Sequence, residues 1–191
     1  MKVVAFNCSP RPHGNTRQLL EKVCETLQDE GIETEIVQVG GHMIHGCLNC
    51  KKCFENKDFK CVITVDRMNE WIDKARGADG ILIGSSTHYA NITPEARALI
   101  DRLGYVNKAN GSFLFRKTGA AVVAARRGGA IGAFDAINHF YFINDMMIPG
   151  ATYWNFALGR NEGEAMEDAE GVNNMIALGT NMAWLMKKLY Q

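Results

Sequence analysis

The chain has 191 residues, 47% of them hydrophobic, with 21 basic and 21 acidic side chains and a formal net charge of zero. That length suits one domain with a core of its own, and the neutral balance argues against nucleic-acid binding by bulk electrostatics. No run approaches the ~18 apolar residues that mark a membrane-spanning helix and no charged, apolar leader precedes Lys2, so neither a membrane nor a secretory leader is expected and the expected location is the cytoplasm.

Val3 to Phe6 is a short apolar run, expected as a buried strand. A loop with Pro and Gly follows from Asn7 to Asn15. Leu19, Leu20, Val23, Cys24 and Leu27 then recur at helical spacing until Gly31. Glu33 to Val39 reads as a second strand, and Gly40 to Lys60 has no clean period. Asp66 to Ala75 is expected as a helix, Gly80 to Gly84 as a strand, and Thr93 to Leu103 as a helix. Gly119 to Ala125 reads as a strand, Phe134 to Met147 as an aromatic-rich helix, Ala151 to Leu158 as the last strand, and Val172 to Leu189 as the closing helix.

Strands alternating with helices imply right-handed crossovers and a parallel sheet covered on both faces. The expectation is a single α/β domain over residues 1–191, a three-layer sandwich with a five-stranded parallel sheet of order 2-1-3-4-5. Ligands on such a sheet bind beyond the carboxyl ends of its strands. Attention therefore falls on residues 7–16, 84–93 and 126–132. The cysteine-rich loop at 40–65, which follows the second strand, is expected at the same end.

In the first of these loops Ser9, Asn15 and Thr16 offer side-chain donors and Arg11 offers charge. Gly14 lets the backbone approach a ligand closely. The helix that follows adds free N–H groups and a partial positive charge, so the loop reads as a cradle for a phosphate dianion. It is neither a nucleoside-triphosphate loop nor a dinucleotide fingerprint.

Four of the six cysteines cluster: the run Cys47-Leu-Asn-Cys50-Lys-Lys-Cys53 holds three, and Cys61 follows after seven intervening residues. Four thiolates at this spacing suit an iron–sulfur cluster. Zinc accepts the same donors, although its usual pattern is two separated C-x-x-C pairs. Free or redox-active thiols are the third reading. Cys24 lies on an apolar helical stripe and Cys8 at a strand end, so both read as small buried side chains. Trp71 and Trp184 read as core, and His42, His45 and His139 as surface residues. No hydrolytic constellation is present.

Ser9-Pro-Arg-Pro-His-Gly-Asn-Thr16 resembles the S-P-R-x-x-G-N-T phosphate loop of the flavodoxin-like NADPH-dependent FMN reductase superfamily. Ile83 to Thr93 is similar to its second FMN loop, Ala98 to Arg102 to the helix after it, and Arg127 to Gly129 to its third loop. With the compact cysteine motif, the chain is identified as resembling the iron–sulfur flavoprotein family of that superfamily. The resemblance implies a flavodoxin-like fold, one FMN and one [4Fe–4S] cluster per subunit. It gives Ser9, Arg11, Gly14, Asn15 and Thr16 to the FMN phosphate. Ser86, Thr87, His88, Tyr89, Asn91, Arg126, Arg127, Gly128 and Gly129 would meet the flavin, and Cys47, Cys50, Cys53 and Cys61 the cluster. Where the family usually has Gly, Pro and an aromatic residue, this chain has Cys8, Ser86 and His88. The expected activity is electron transfer as an oxidoreductase. Ferredoxin is an expected donor and NAD(P)H a further one. The expected assembly is a homo-oligomer, a dimer or a dimer of dimers, in which subunits share the redox site. The apolar stretches Phe140–Ile143 and Met146–Ile148 suit its interface. A cluster-free NAD(P)H-dependent FMN or quinone reductase and a zinc-stabilised binding module are the alternatives.

Overall fold

The computed structural model describes residues 1–190. Strands β1 (Lys2–Asn7), β2 (Glu33–Gln38), β3 (Gly80–Ser86), β4 (Thr118–Ala125) and β5 (Phe156–Leu158) form one parallel sheet of order 2-1-3-4-5, as the alternation of elements predicts. Successive residues of a strand point to opposite faces, so each central strand supplies two cores. Val3, Ala5 and Leu82 face helices α1 (Asn15–Asp29) and α6 (Ala169–Leu189), where Leu19, Leu20, Val23, Leu178 and Met182 are fully buried. Val4, Phe6, Ile81 and Ile83 face α3 (Met68–Gly77), α4 (Pro94–Ala109) and α5 (Ala130–Ile143), meeting Trp71, Ile72, Leu99, Leu103 and Tyr141. Register follows from this double burial: Ala5 pairs with both Ile36 and Leu82, and Leu82 with Ala120. Among the described residues no helix is long and apolar enough to cross a membrane.

The structure differs from the sequence expectation at four places. A short helix, α2 (Lys52–Asn56), lies inside the cysteine loop. Helix α5 begins at Ala130 and ends at Ile143, because Asp145 turns the chain in the left-handed region (φ 54°). Met147 then joins the sheet edge: its N–H donates to Lys117 O at 2.9 Å, and its carbonyl accepts from Gly119 N–H at 2.9 Å. Residues 151–155 are not strand, for a side chain has taken their hydrogen bonds. Asn174 Oδ1 accepts from Thr152 Oγ1 and Tyr153 N–H at 3.0 and 2.9 Å, and its Nδ2 donates to Trp154 O at 2.8 Å. Trp184 is 62% exposed, because it lies off the stripe formed by Met175, Leu178, Met182 and Met186.

The bonds at Asn174 predict a sizeable cost for its removal. Asn174 is 1% exposed, and Asn174→Ala leaves the buried partners unpaired. The loss should be about 2–3 kcal/mol. Urea unfolding should show a lower midpoint with an unchanged slope.

Candidate functional site

Because all strands run one way, Asn7, Gln38, Ser86, Ala125 and Leu158 end at a single edge. Neighbouring side chains fix the loop that leaves β1 there. Asn7 Nδ2 donates to Gln38 Oε1 at 2.6 Å, and Gln38 Nε2 donates to Ser9 O at 2.9 Å and Gly40 O at 2.7 Å. Thr93, the N-cap of α4, donates from Oγ1 to Cys8 O at 2.8 Å. Gly40 sits so close to this loop that a Cβ would fall on the Ser9 carbonyl. Ser9 Oγ accepts from Arg11 N–H at 3.3 Å, and Gly14 N–H closes the turn onto Arg11 O at 3.2 Å. Gly14 has no side chain to cap α1; the Arg17 and Gln18 amides donate to Gly14 O at 2.9 and 3.2 Å, which leaves those of Asn15 and Thr16 for the loop.

A cavity of about 270 Å³ opens at this point. Ser9, Arg11, Gly14, Asn15, Thr16, Ser86, Thr87, His88 and Arg126 line it, all of them residues the sequence points to. Two of their hydroxyls, Thr16 Oγ1 and Ser86 Oγ, are buried with no hydrogen-bond partner. A buried donor left unpaired is costly, and two in one cationic concavity mark a place built for an oxyanion. The donor set therefore fits the phosphate of a flavin mononucleotide.

Asn15 has a different role for its side chain. Its Nδ2 donates to Asn161 O at 2.9 Å and its Oδ1 accepts from Gly163 N–H at 2.9 Å, tying the segment after β5 to the start of α1. Tyr89, Asn91, Arg127, Gly128 and Gly129 lie outside the cavity wall. Tyr89 is fully exposed. Asn91 closes the turn at 88–91 by exchanging backbone bonds with His88 at 2.8 and 2.9 Å. Gly129 (φ +83°) sits 2.8 Å, at an added Cβ, from Ala90 Cα, so only glycine lets these two loops meet. Gly159 and Arg160 also line the cavity, and sequence reasoning missed them. They follow the last strand, and applying the strand-end rule to that strand too would have found them. Burial pushes the Cys8 thiol far up and the Cys24 thiol up to about 11, so both act as neutral packing groups.

The four clustered cysteines line a second, small cavity together with Arg102, Tyr105 and Val106 of α4. This corrects one expectation: the loop leaves the sheet edge at Gly40, but the cysteines are carried along α4 to Arg102, Tyr105 and Val106 rather than kept at the strand ends. The two cavities share no wall residue. Left-handed residues at Asn49, Lys51, Lys57 and Phe59 (φ 50–63°) coil the loop tightly. Asn49 N–H donates to Cys47 Sγ at 3.4 Å, and Cys61 exchanges bonds with the Asn69 side chain at 2.8 and 2.9 Å. Burial raises the Cys53 thiol, and the nearby Cys61 and Cys47 raise it further. Among the described residues no three ligating side chains stand in ready-made metal geometry. The donor set nonetheless fits a cluster: all four thiols are free of disulfides and wall one cavity, and four soft sulfur donors are the ligand set an iron–sulfur cluster takes.

One buried ion pair closes this loop. Arg102 Nη1 meets Asp66 Oδ2 at 2.5 Å, with side chains 0% and 2% exposed. Arg102 also donates to His45 O at 3.1 Å and Ile63 O at 2.8 Å, on either side of the cysteines. Asp66 accepts from His45 N–H at 3.0 Å and Met68 N–H at 3.2 Å. Burial favours the neutral form of Asp66, but the Arg102 guanidinium and these two amides outweigh it and hold the carboxyl below its usual range.

The family profile described as NADPH-dependent FMN reductase matches residues 1–161. An iron–sulfur flavoprotein of Methanocaldococcus jannaschii is 31% identical over 194 residues, spanning 98% of both chains. The solved structure of RosB, with a bound 8-demethyl-8-formylriboflavin-5'-phosphate, superposes with a TM-score of 0.79 at 20% identity, over 99% of this chain and 80% of that one. A flavodoxin from the domain Archaea superposes with a TM-score of 0.62 at 15% identity, over 98% of this chain and 99% of that one. The fold is thus flavodoxin-like.

Two outcomes follow from the geometry. Thr16→Val removes a buried hydroxyl that has no protein partner, so the ligand-free protein should keep or raise its melting temperature. The same change should weaken a phosphate-bearing flavin by about 1 kcal/mol, roughly fivefold, in a fluorescence titration. Asp66→Ala strands the buried Arg102 charge and should cost about 3–5 kcal/mol, with faster labelling of the loop thiols. Because the folded carboxyl lies below its ordinary value, the wild-type clamp holds through neutral pH. It is lost only as pH falls below the usual carboxylate range and through the folded value.

Proposed function

The chain belongs to the NADPH-dependent FMN reductase family, in its iron–sulfur flavoprotein branch; it is a flavin oxidoreductase, and from that premise we propose that it transfers electrons between a bound FMN and a [4Fe–4S] cluster. The observation that carries the reading is the pairing of a phosphate cradle, whose Thr16 and Ser86 hydroxyls are buried and unpaired, with a separate cavity walled by four free cysteines.

Bound there, FMN would supply a centre that takes one or two electrons, and the cluster one that takes a single electron at a time. Ser9, Arg11 and Thr16, with the free amides at the start of α1, hold the phosphate by charge-assisted bonds. Ser86, Thr87, His88 and Arg126 wall the rest of the cavity, where the Arg126 cation favours an added negative charge. Cys47, Cys50, Cys53 and Cys61 hold the cluster, and the Arg102–Asp66 pair keeps their loop on α4. A reductase drawing on NADPH is the second reading, favoured by the family's own description.

The placement of the two cavities bears on assembly. From Thr93, at the flavin edge, α4 rises ~1.5 Å per residue, so the cysteine cavity at Arg102 and Tyr105 lies roughly 14–18 Å along that helix. Phe142 (65% exposed), Ile143 (70%) and Trp154 (49%) are exposed apolar side chains, with Ile143 in one groove with Tyr105. These features favour a homo-oligomer in which the cysteines of one copy serve the flavin of another, fed by a small electron-carrier protein such as ferredoxin.

Cys50→Ala tests the assignment. Purified without oxygen, the variant should lose the cluster absorbance and its iron while keeping FMN, because the phosphate cradle shares no residue with the cysteine cavity. A variant with the full cluster spectrum, or one that loses FMN in step with iron, contradicts the proposal.

A further inference from the structure

Arg102 holds the cysteine loop with only part of its guanidinium. Nη1 and Nη2 are engaged by Asp66, His45 O and Ile63 O. The remaining group, Nε–H, is buried and has no hydrogen-bond partner. Arg102 is 1% exposed, so bulk solvent does not reach that donor. The guanidinium is planar and rigid, and once both Nη groups are tied to the two sides of the loop, the direction of Nε–H is set as well. The side chain lies in the wall of the cavity that Cys47, Cys50, Cys53 and Cys61 share. A loop staple alone would not need this orphaned donor, and an apolar wall would avoid its cost.

On the reading that these cysteines hold a cluster, we infer that Arg102 donates its Nε–H to the sulfur shell of that cluster, and thereby favours the reduced, more negative state. Hydrogen bonds to cluster sulfurs and nearby positive charge both raise the reduction potential. Asp66 then acts as a positioning residue. It offsets most of the Arg102 charge and aims the donor, so the bond, more than the net charge, sets the potential. Lysine cannot replace arginine here, because an ammonium group cannot bridge His45 O and Ile63 O while presenting a further fixed donor.

The test uses full-length protein labelled with ¹⁵N only in arginine, loaded with cluster under anaerobic conditions and assayed for iron and sulfide first. Pulsed electron paramagnetic resonance of the reduced, loaded protein should show a ¹⁵N coupling. Arg102→Lys should abolish that coupling and shift the midpoint potential downward. Loaded wild-type protein without an arginine ¹⁵N coupling overturns the inference and leaves the cluster assignment standing. So does Arg102→Lys at the wild-type potential, since a purely structural staple would leave the potential of the remaining cluster unmoved. If Arg102→Lys cannot retain the cluster, the wild-type spectrum decides alone. A wild-type sample that takes up no iron overturns the cluster assignment and this inference with it.

Discussion

Every strand of this sheet runs the same way, and both faces of the sheet are buried. Those two facts leave one edge where strand carbonyl ends, helix N-termini and polar loops must gather. The loops there do not form a core of their own. They are held by side chains from the strands beneath: Asn7 and Gln38 bond each other and the Ser9 backbone, and Thr93 secures Cys8. A cradle fixed in this way would bind an anion without first ordering itself, which removes much of the entropy cost of binding. The price is visible in Thr16 and Ser86, whose buried hydroxyls have no partner within the protein.

The cysteine loop obeys a different rule. It lies outside the sandwich and buries few large side chains: Met43, Leu48 and Val65 are all well exposed. Hydrophobic burial cannot fix such a segment, so polar contacts do. Asn69 and Asn110 hold its backbone near Cys61 and Phe59. The Arg102–Asp66 pair joins its two ends to α4. A buried ion pair contributes little net stability against a well-packed apolar alternative, but losing one partner is expensive. Its value here is placement: it sets which wall of α4 the four sulfurs face.

Much of the fold is legible from the sequence because the signal is local. Runs such as Ile81-Leu-Ile83 and the stripe Leu19, Leu20, Val23 and Leu27 carry their period in the chain itself. The loop from Ser9 to Thr16 is legible for the same reason, since its polar side chains stand close together in the chain, whereas Ser86 and Arg126 reach the same cavity from other loops. What sequence misses depends on distant partners. The loss of strand at 151–155 is decided by Asn174, on another helix. The course of the cysteine loop down α4 is decided by Arg102 and Asp66, 36 residues apart. Neither pairing leaves a periodic trace, and neither Gly159 nor Arg160 stands in a recognisable motif.

The central claim is that one chain carries two electron-accepting sites of different capacity, one in the cavity at the strand ends and one among the cysteines on α4. Its most direct test is the content of protein purified without oxygen: flavin identified by chromatography after denaturation, with iron, acid-labile sulfide and zinc counted per chain. The account predicts one FMN with about four irons and four sulfides. Stoichiometric zinc without iron, or FAD as the sole flavin, would contradict it.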